Sequence, residues 1–292
     1  MRLFLLTIMN GFTLAALYFL VASGFTLVFG LMRNVNLAHG SLYLLGAYIG
    51  YDAADLTGSW FVGVAAGFLS MAAAGLLLQI GIFRRMEGQE LRQTLVTIGI
   101  SIVLADLMLA IWGGKTYQFT PPDWLYGAVR VPFIRAYPIY RLALLVAAIV
   151  IGIGLWLFLN RTRIGMMIRA GVDDRAMLQA SGVNTQRIFA ITFALGAGLA
   201  GLAGCALTQI GNVGPSLGQN YIVDSFMVVV TGGVGKLLGT ILAAAGIGTL
   251  NKGIEPALGA VFAKVAILIA VILFLQRRPA GLFATRGRGA EA

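Results

Sequence analysis

Residues 222–250 read IVDSFMVVVTGGVGKLLGTILAAAGIGTL, and the way this stretch divides decides the fold. Only Asp224 and Lys236 are charged. As one helix the run would be about 43 Å long, against the ~30 Å hydrocarbon core of a bilayer. Its middle is Gly232-Gly233-Val234-Gly235-Lys236, and glycine adopts backbone conformations closed to other residues. The flanks say where it turns. Residues 211–220 hold no Lys or Arg, whereas the tail carries Arg277, Arg278, Arg286 and Arg288. Cytoplasmic loops carry the Lys and Arg excess, so 211–220 is expected outside and the tail inside. The chain between them must cross an odd number of times. Run 222–250 as one span plus run 257–276 gives two crossings, whereas a break at 232–236 gives three and puts Lys236 on the basic side. The glycine cluster is therefore expected to be a tight turn between two short membrane segments, or a re-entrant element. Irregular backbone at that depth persists only when buried in protein or lining a polar cavity.

The rest of the chain fits a membrane solvent. Of 292 residues, 59% are hydrophobic and only 11% charged, against about 25% charged in a soluble domain. Mean hydropathy is +0.89. Apolar runs fall at about 3–31, 38–53, 60–83, 93–113, 139–160, 187–210, 222–250 and 257–276. They are continuous rather than alternating, which excludes the β-barrel pattern. The net charge of +10 does not signal nucleic-acid binding, because the charges lie in short loops between apolar runs. The expected fold class is all-α: a polytopic transmembrane helical bundle of about eight or nine membrane segments, some broken or re-entrant. Residues 1–292 read as a single membrane domain. The start resembles a signal peptide but reads as a retained helix, since the first run reaches Leu31 with no cleavage site before a polar region.

Arginine asymmetry orients the remainder. The stretch 161–187 carries Arg161, Arg163, Arg169, Arg175 and Arg187 and is expected inside, as are Arg84, Arg85 and Arg92. Asp52 and Asp55 fall outside, with a longer external loop over 114–140 broken at Pro121-Pro122. That loop holds Lys115, Arg130, Arg135 and Arg141, a mild violation. The N-terminus is external if the first run is one span and internal if it splits at Gly24. In 187–210, Gly196/Ala200/Gly204 and Ala197/Gly201 repeat at i, i+4, a face that lets another helix backbone approach closely.

Catalytic and metal-binding patterns fail. His39 is the sole histidine, so no zinc cluster or His-based triad forms within the chain, and no cofactor is expected. Cys205 is the sole cysteine, so no internal disulfide forms. Gly233-Val234-Gly235-Lys236 is not a P-loop, because Val230 stands where the first glycine belongs and Leu237 where Ser or Thr must hold magnesium. Any ATP site lies on another chain. Four features remain as translocation-path candidates. Met32–Ser41 is a polar interruption, a plain loop or a broken helix whose free backbone groups line a route with Asn36 and His39. Asp106 and Asp224 are carboxylates in or beside apolar runs, which are costly and so functional candidates. For Asp106 a structural hydrogen bond is the plain alternative, and for Asp224 an interfacial helix start. The turn residues Gly232, Gly233 and Gly235 complete the set.

Within the inner loop 161–187, Asp173 and Asp174 can cap a short helix and Gly182 can end it. An exposed helix of about two turns results, a connector or a partner-docking element. Asp174, Arg175, Ala176 and Gly182 are its key positions.

These blocks resemble a known family. Asn10-Gly11, Gly24-Phe25-Thr26-Leu27-Val28-Phe29-Gly30-Leu31-Met32 and Val35-Asn36-Leu37-Ala38-His39-Gly40-Ser41 are similar to the high-affinity branched-chain amino-acid permeases of bacterial ABC importers. So are Thr162-Arg163-Ile164-Gly165 through Gly182-Val183-Asn184, the family's coupling loop, and Phe193 through Gly204. Val213-Gly214-Pro215, Gly218 through Val230, Gly232 through Lys236 and Arg278-Pro279-Ala280-Gly281-Leu282-Phe283 resemble the urea-importer branch, while 90–125 looks more like the amino-acid branch. The spacing from Ala176 to Gly182 departs from the longer classical permease signature. The resemblance implies a non-enzymatic permease subunit in the bacterial inner membrane, working with a second homologous permease, two ATP-binding subunits and a periplasmic substrate-binding protein. It implies inward alternating-access transport of small polar solutes, branched-chain amino acids or urea and short amides. The different-class alternative is an ion-gradient-driven secondary transporter, and a membrane scaffold explains neither the broken segments nor the 39 glycines.

Overall fold

The structure, a computed structural model, describes residues 2–118, 121–131, 134–208, 214 and 217–283. The helices are α1 (Arg2–Met32), α2 (His39–Thr57), α3 (Trp60–Gly81), α4 (Glu90–Trp112), α5 (Ile139–Arg161), α6 (Arg163–Asp173), α7 (Arg175–Ala180), α8 (Thr185–Leu207), α9 (Leu217–Gly232), α10 (Leu237–Leu258) and α11 (Ala260–Arg277). Among the described residues, seven helical stretches are long and apolar enough to cross a membrane, and the shorter Tyr221–Gly232 stretch of α9 is apolar too. With α2 this makes the polytopic all-α bundle. Part of the loop 211–220 and Arg286 and Arg288 of the tail lie outside the described residues.

α1 is unbroken through Gly24. At about 46 Å it is the bundle's central mast, packed against α5, α8, α9 and α10. Gly24 is spent on contact instead of a break: a Cβ there would collide with the Gly196 carbonyl of α8. Hydrophobicity does not drive helix against helix in lipid, so close approach through small residues does that work. The expected face of α8 is used from end to end. Gly201 lies against Gly67 and Met71 of α3, and Gly204 against the Tyr43 carbonyl of α2. The complementary stripe on α3, Gly63, Gly67, Met71 and Gly75, is buried as well.

The break in 222–250 is where parity placed it. α9 ends at Gly232, and Gly233 (φ 97°) and Gly235 (φ 76°) take the left-handed conformations that reverse the chain into α10. The loop 114–140 departs from the all-helical expectation, since Ala128–Val131 and Ile134–Pro138 form a small antiparallel hairpin. Tyr137 anchors it to the start of α1, donating to the Met9 carbonyl at 2.9 Å and lying 2.7 Å from the Thr13 hydroxyl.

Candidate functional site

The polar interruption is a built feature. After α1, Arg33 turns with φ 53°, and residues 33–38 run back beside α4 in non-helical form. α2 starts with His39, whose Nε2 lies 3.2 Å from the Val21 carbonyl, roughly 16 Å up α1 from Met32. An extended strand of this length covers about 20 Å, so the segment climbs into the bundle where a helix would not reach. Its polar groups are met by one face of α4. Asn34 donates to Gln93 Oε1 (3.0 Å) and accepts from Thr94 (2.6 Å). The Leu37 amide donates to Thr97 Oγ1 (3.1 Å), and Ser41 pairs with Ser101 (2.8 Å). Asn36 accepts from the Ala38 amide (3.1 Å). Asn34, Asn36 and His39 are all buried, as backbone polar groups at membrane depth require.

His39 faces an aromatic cluster that leads to Asp224. Its ring lies 5.4 Å from Phe25, which lies 6.5 Å from Phe226 of α9. Phe29 stacks on Phe226 at 6.4 Å. About two helical turns up α1 from Phe25, Tyr18 contacts the Asp224 carboxylate. Asp224 is buried and accepts from Lys264 Nζ of α11 at 2.9 Å, while half of the lysine side chain stays exposed. His39 and Asp224 thus border one zone between α1, α2 and α9, and Asn36 lies in the segment that leads to His39. Asp106 lies elsewhere, exposed on α4 with no partner among the described residues.

The glycine turn packs tightly between α1, α6 and the tail. A Cβ on Gly30 would stand 2.5 Å from Gly235 Cα, and the Gly235 amide donates to Thr26 Oγ1 (3.2 Å). Lys236 pairs with Asp173 of α6 at 3.2 Å. The tail locks the turn, with the Leu282 and Phe283 amides donating to the Thr231 and Gly232 carbonyls. Gly232 and Gly233 are buried in this packing.

The stretch 161–187 folds as two short helices followed by the start of α8. α6, absent from the sequence reading, is capped by Thr162, which accepts from the Gly165 amide, and it buries Gly165, Ile168, Gly171 and Val172. That i, i+3, i+6, i+7 spacing was the available signal. α7 is the expected short helix. Asp174 caps it by accepting from the Met177 amide (3.0 Å), and Gly182 follows its end at φ 79°. Leu178 is buried, while Ala176, Met177 and Ala180 face out. Arg175 ties α7 inward. It pairs with Glu87 at 2.9 Å and lies 4.4 Å over the Phe189 ring. Glu87 sits just before α4, whose Gln93 also donates to the Met86 carbonyl (2.7 Å). Arg175, Glu87, Gln93 and Asn34 thus form one connected series from α7 to the interrupted segment.

Sequence comparison assigns this architecture. A family model described as branched-chain amino acid transport system / permease component matches residues 7–276. The chain belongs to that permease family. The high-affinity branched-chain amino acid transport system permease protein BraD of Pseudomonas aeruginosa is 29% identical over 301 residues, covering 96% of this chain and 95% of its own length. The similarly named LivH of Salmonella typhimurium is 28% identical over 294 residues, covering 96% and 95%. The ribose import permease protein RbsC of Escherichia coli is 26% identical over 247 residues, covering 81% and 74%. No solved structure matches. The permease is accordingly a multi-pass inner-membrane protein. Its basic residues Arg84, Arg85, Arg92, Arg163 and Arg175 flank the region at one end of the bundle where the short helical turn Phe83–Met86, α6 and α7 interlock. Sequence reading of this permease passed over Lys264, although a lysine in an apolar run is as conspicuous as Asp224. It also passed over Glu87 and the Gln93/Thr97/Ser101 face of α4, whose partners lie 59 or more residues away.

Proposed function

We propose that residues 1–292 form the permease subunit of an ATP-driven importer for small polar solutes. The partners are a second homologous permease, two ATP-binding subunits and a periplasmic substrate-binding protein. The observation that supports this reading is the series from Arg175 through Glu87 and Gln93 to Asn34. A partner pressing on Ala176 and Met177 displaces α7, α7 carries Glu87 and the foot of α4, and α4 holds the segment leading to His39. ATP is hydrolysed on the partner chains. The route runs beside Asn36, His39 and Asp224, the Gly232–Gly235 turn closes its inner end, and Asp106 faces the second permease, where an intramembrane carboxylate finds cover.

Branched-chain amino acids are the first substrate class, as the printed names of the relatives suggest. Urea and short amides are the second, resting on the resemblance of Gly218 through Lys236 and Arg278 through Phe283. Competition separates them. Vesicles carrying the permeases, ATPases and binding protein are given labelled leucine with unlabelled valine, urea or acetamide. Valine is expected to block uptake at concentrations where urea and acetamide do not. Labelled urea given in place of leucine, taken up and left untouched by valine, assigns the second class.

A further inference from the structure

The surface between α5 and α10 holds a feature that lies apart from the route proposed above. α5 and α10 both pack on α1 but diverge, leaving an apolar groove of about 690 Å³. Small residues form its floor, among them Ala15, Ala16, Ala148 and Gly152, while Phe12 and Trp156 stand at its sides. Along α5 it extends from Leu145 to Trp156, about 16 Å of helix. One leaflet of a ~30 Å hydrocarbon core is about 15 Å deep. At its inner end the groove meets a second cavity of about 500 Å³, which shares Trp156 and Leu238 with it. That cavity has a mixed lining and lies between α6 and the glycine turn, with Asn160, Arg169, Asp173 and Lys236 among apolar residues in its wall. Asp173 is occupied by Lys236 at 3.2 Å. Arg169 is exposed and has no partner among the described residues.

We propose that these joined cavities bind one anionic phospholipid of the cytoplasmic leaflet. An acyl chain fills the groove, and the phosphate headgroup lies between Arg169 and Lys236. Three observations select a lipid over a helix of another subunit. The groove is one leaflet long. It opens at the basic end of the molecule, where the inner leaflet presents anionic headgroups. And its inner end carries a net positive charge, with a tryptophan at the level where such side chains sit at the membrane interface. A transmembrane helix would span both leaflets and place apolar side chains against Arg169. The headgroup would join α6 to the α9–α10 turn, so lipid composition would set how firmly the base of the coupling loop is held.

The test uses the purified full chain in detergent, with phosphatidylglycerol and phosphatidylcholine of identical acyl chains supplied in equal amounts and retained lipid read by native mass spectrometry. Phosphatidylglycerol is expected to be retained about fivefold over phosphatidylcholine, the ratio that ~1 kcal/mol for one net cation gives. Arg169→Gln, on an exposed position, should abolish that preference. Ala245→Trp, which fills the groove from α10, should reduce retention of both lipids alike. Gel filtration and thermal melting in the same detergent confirm that both variants are folded. Equal retention of the two lipids by the wild type, or an unchanged preference in Arg169→Gln, would overturn the proposal. So would displacement of phosphatidylglycerol by inorganic phosphate alone, which marks a soluble-anion site. Crosslinking between permease copies through cysteines placed at Ile149 would show a protein helix in the groove and overturn it as well.

Discussion

Ala176→Trp should leave the permease folded and membrane-inserted yet weaken its hold on the ATPase subunits at least about tenfold, ~1.4 kcal/mol. Ala176 is exposed on α7 beside Met177, which is 63% exposed, so nothing in the chain itself resists the indole. A partner surface that approaches a small residue closely is pushed away by a large one. Gly182→Val is the companion variant and acts differently. At φ 79° a β-branched residue is strained by ~1–3 kcal/mol, so the end of α7 should be misdirected while its capping residue Asp174 is intact. Co-purification of the ATPases and substrate-stimulated hydrolysis in vesicles read both effects. Wild-type docking, hydrolysis and uptake in both variants would reduce the loop to a connector.

The Asp224–Lys264 pair gives the other large effect. Lys264→Met leaves a buried carboxylate without its cation, which costs ~1–3 kcal/mol, less than in a pair buried on both sides because the lysine is half-exposed. Asp224→Asn should cost less, because the lysine is half-exposed and can reach toward polar surroundings along its stem. The thermal melt should therefore fall more in Lys264→Met than in Asp224→Asn. The double variant should recover most of the stability, since no charge is left unpaired, but not the uptake if the pair borders the route. A double variant that melts and transports like the wild type would make the pair purely structural.

Much of the fold was legible in sequence because a bilayer punishes exceptions. Three glycines and a lysine inside an apolar run of excess length had to be a break, and the odd number of crossings placed it. The polar residues 32–41 stood out for the same reason. Other glycines misled or were silent, because the residue type does not say whether it serves a turn or a contact. Gly24 offered a split and is instead a contact with Gly196, and the Gly63/Gly67/Gly75 stripe of α3 was passed over although it has the four-residue spacing of the α8 face. The hairpin at 128–138 carries no long pattern to read. The least legible part was the tie between Arg175 and Glu87, 88 residues apart in sequence. Each is an ordinary loop charge until the fold brings them together, whereas the cap of α7 by Asp174 and its Gly182 end are local and were readable in advance.

The most direct test of the central claim is the energy source of uptake. Vesicles holding this permease with its second permease, ATPases and binding protein are loaded with ATP on the ATPase side and given labelled leucine, with ionophores collapsing every ion gradient. An ATP-driven permease accumulates leucine under these conditions and stops when ATP is replaced by a non-hydrolysable analogue. Accumulation that persists without hydrolysis and follows an imposed proton or sodium gradient would contradict the assignment and mark the chain as a secondary transporter.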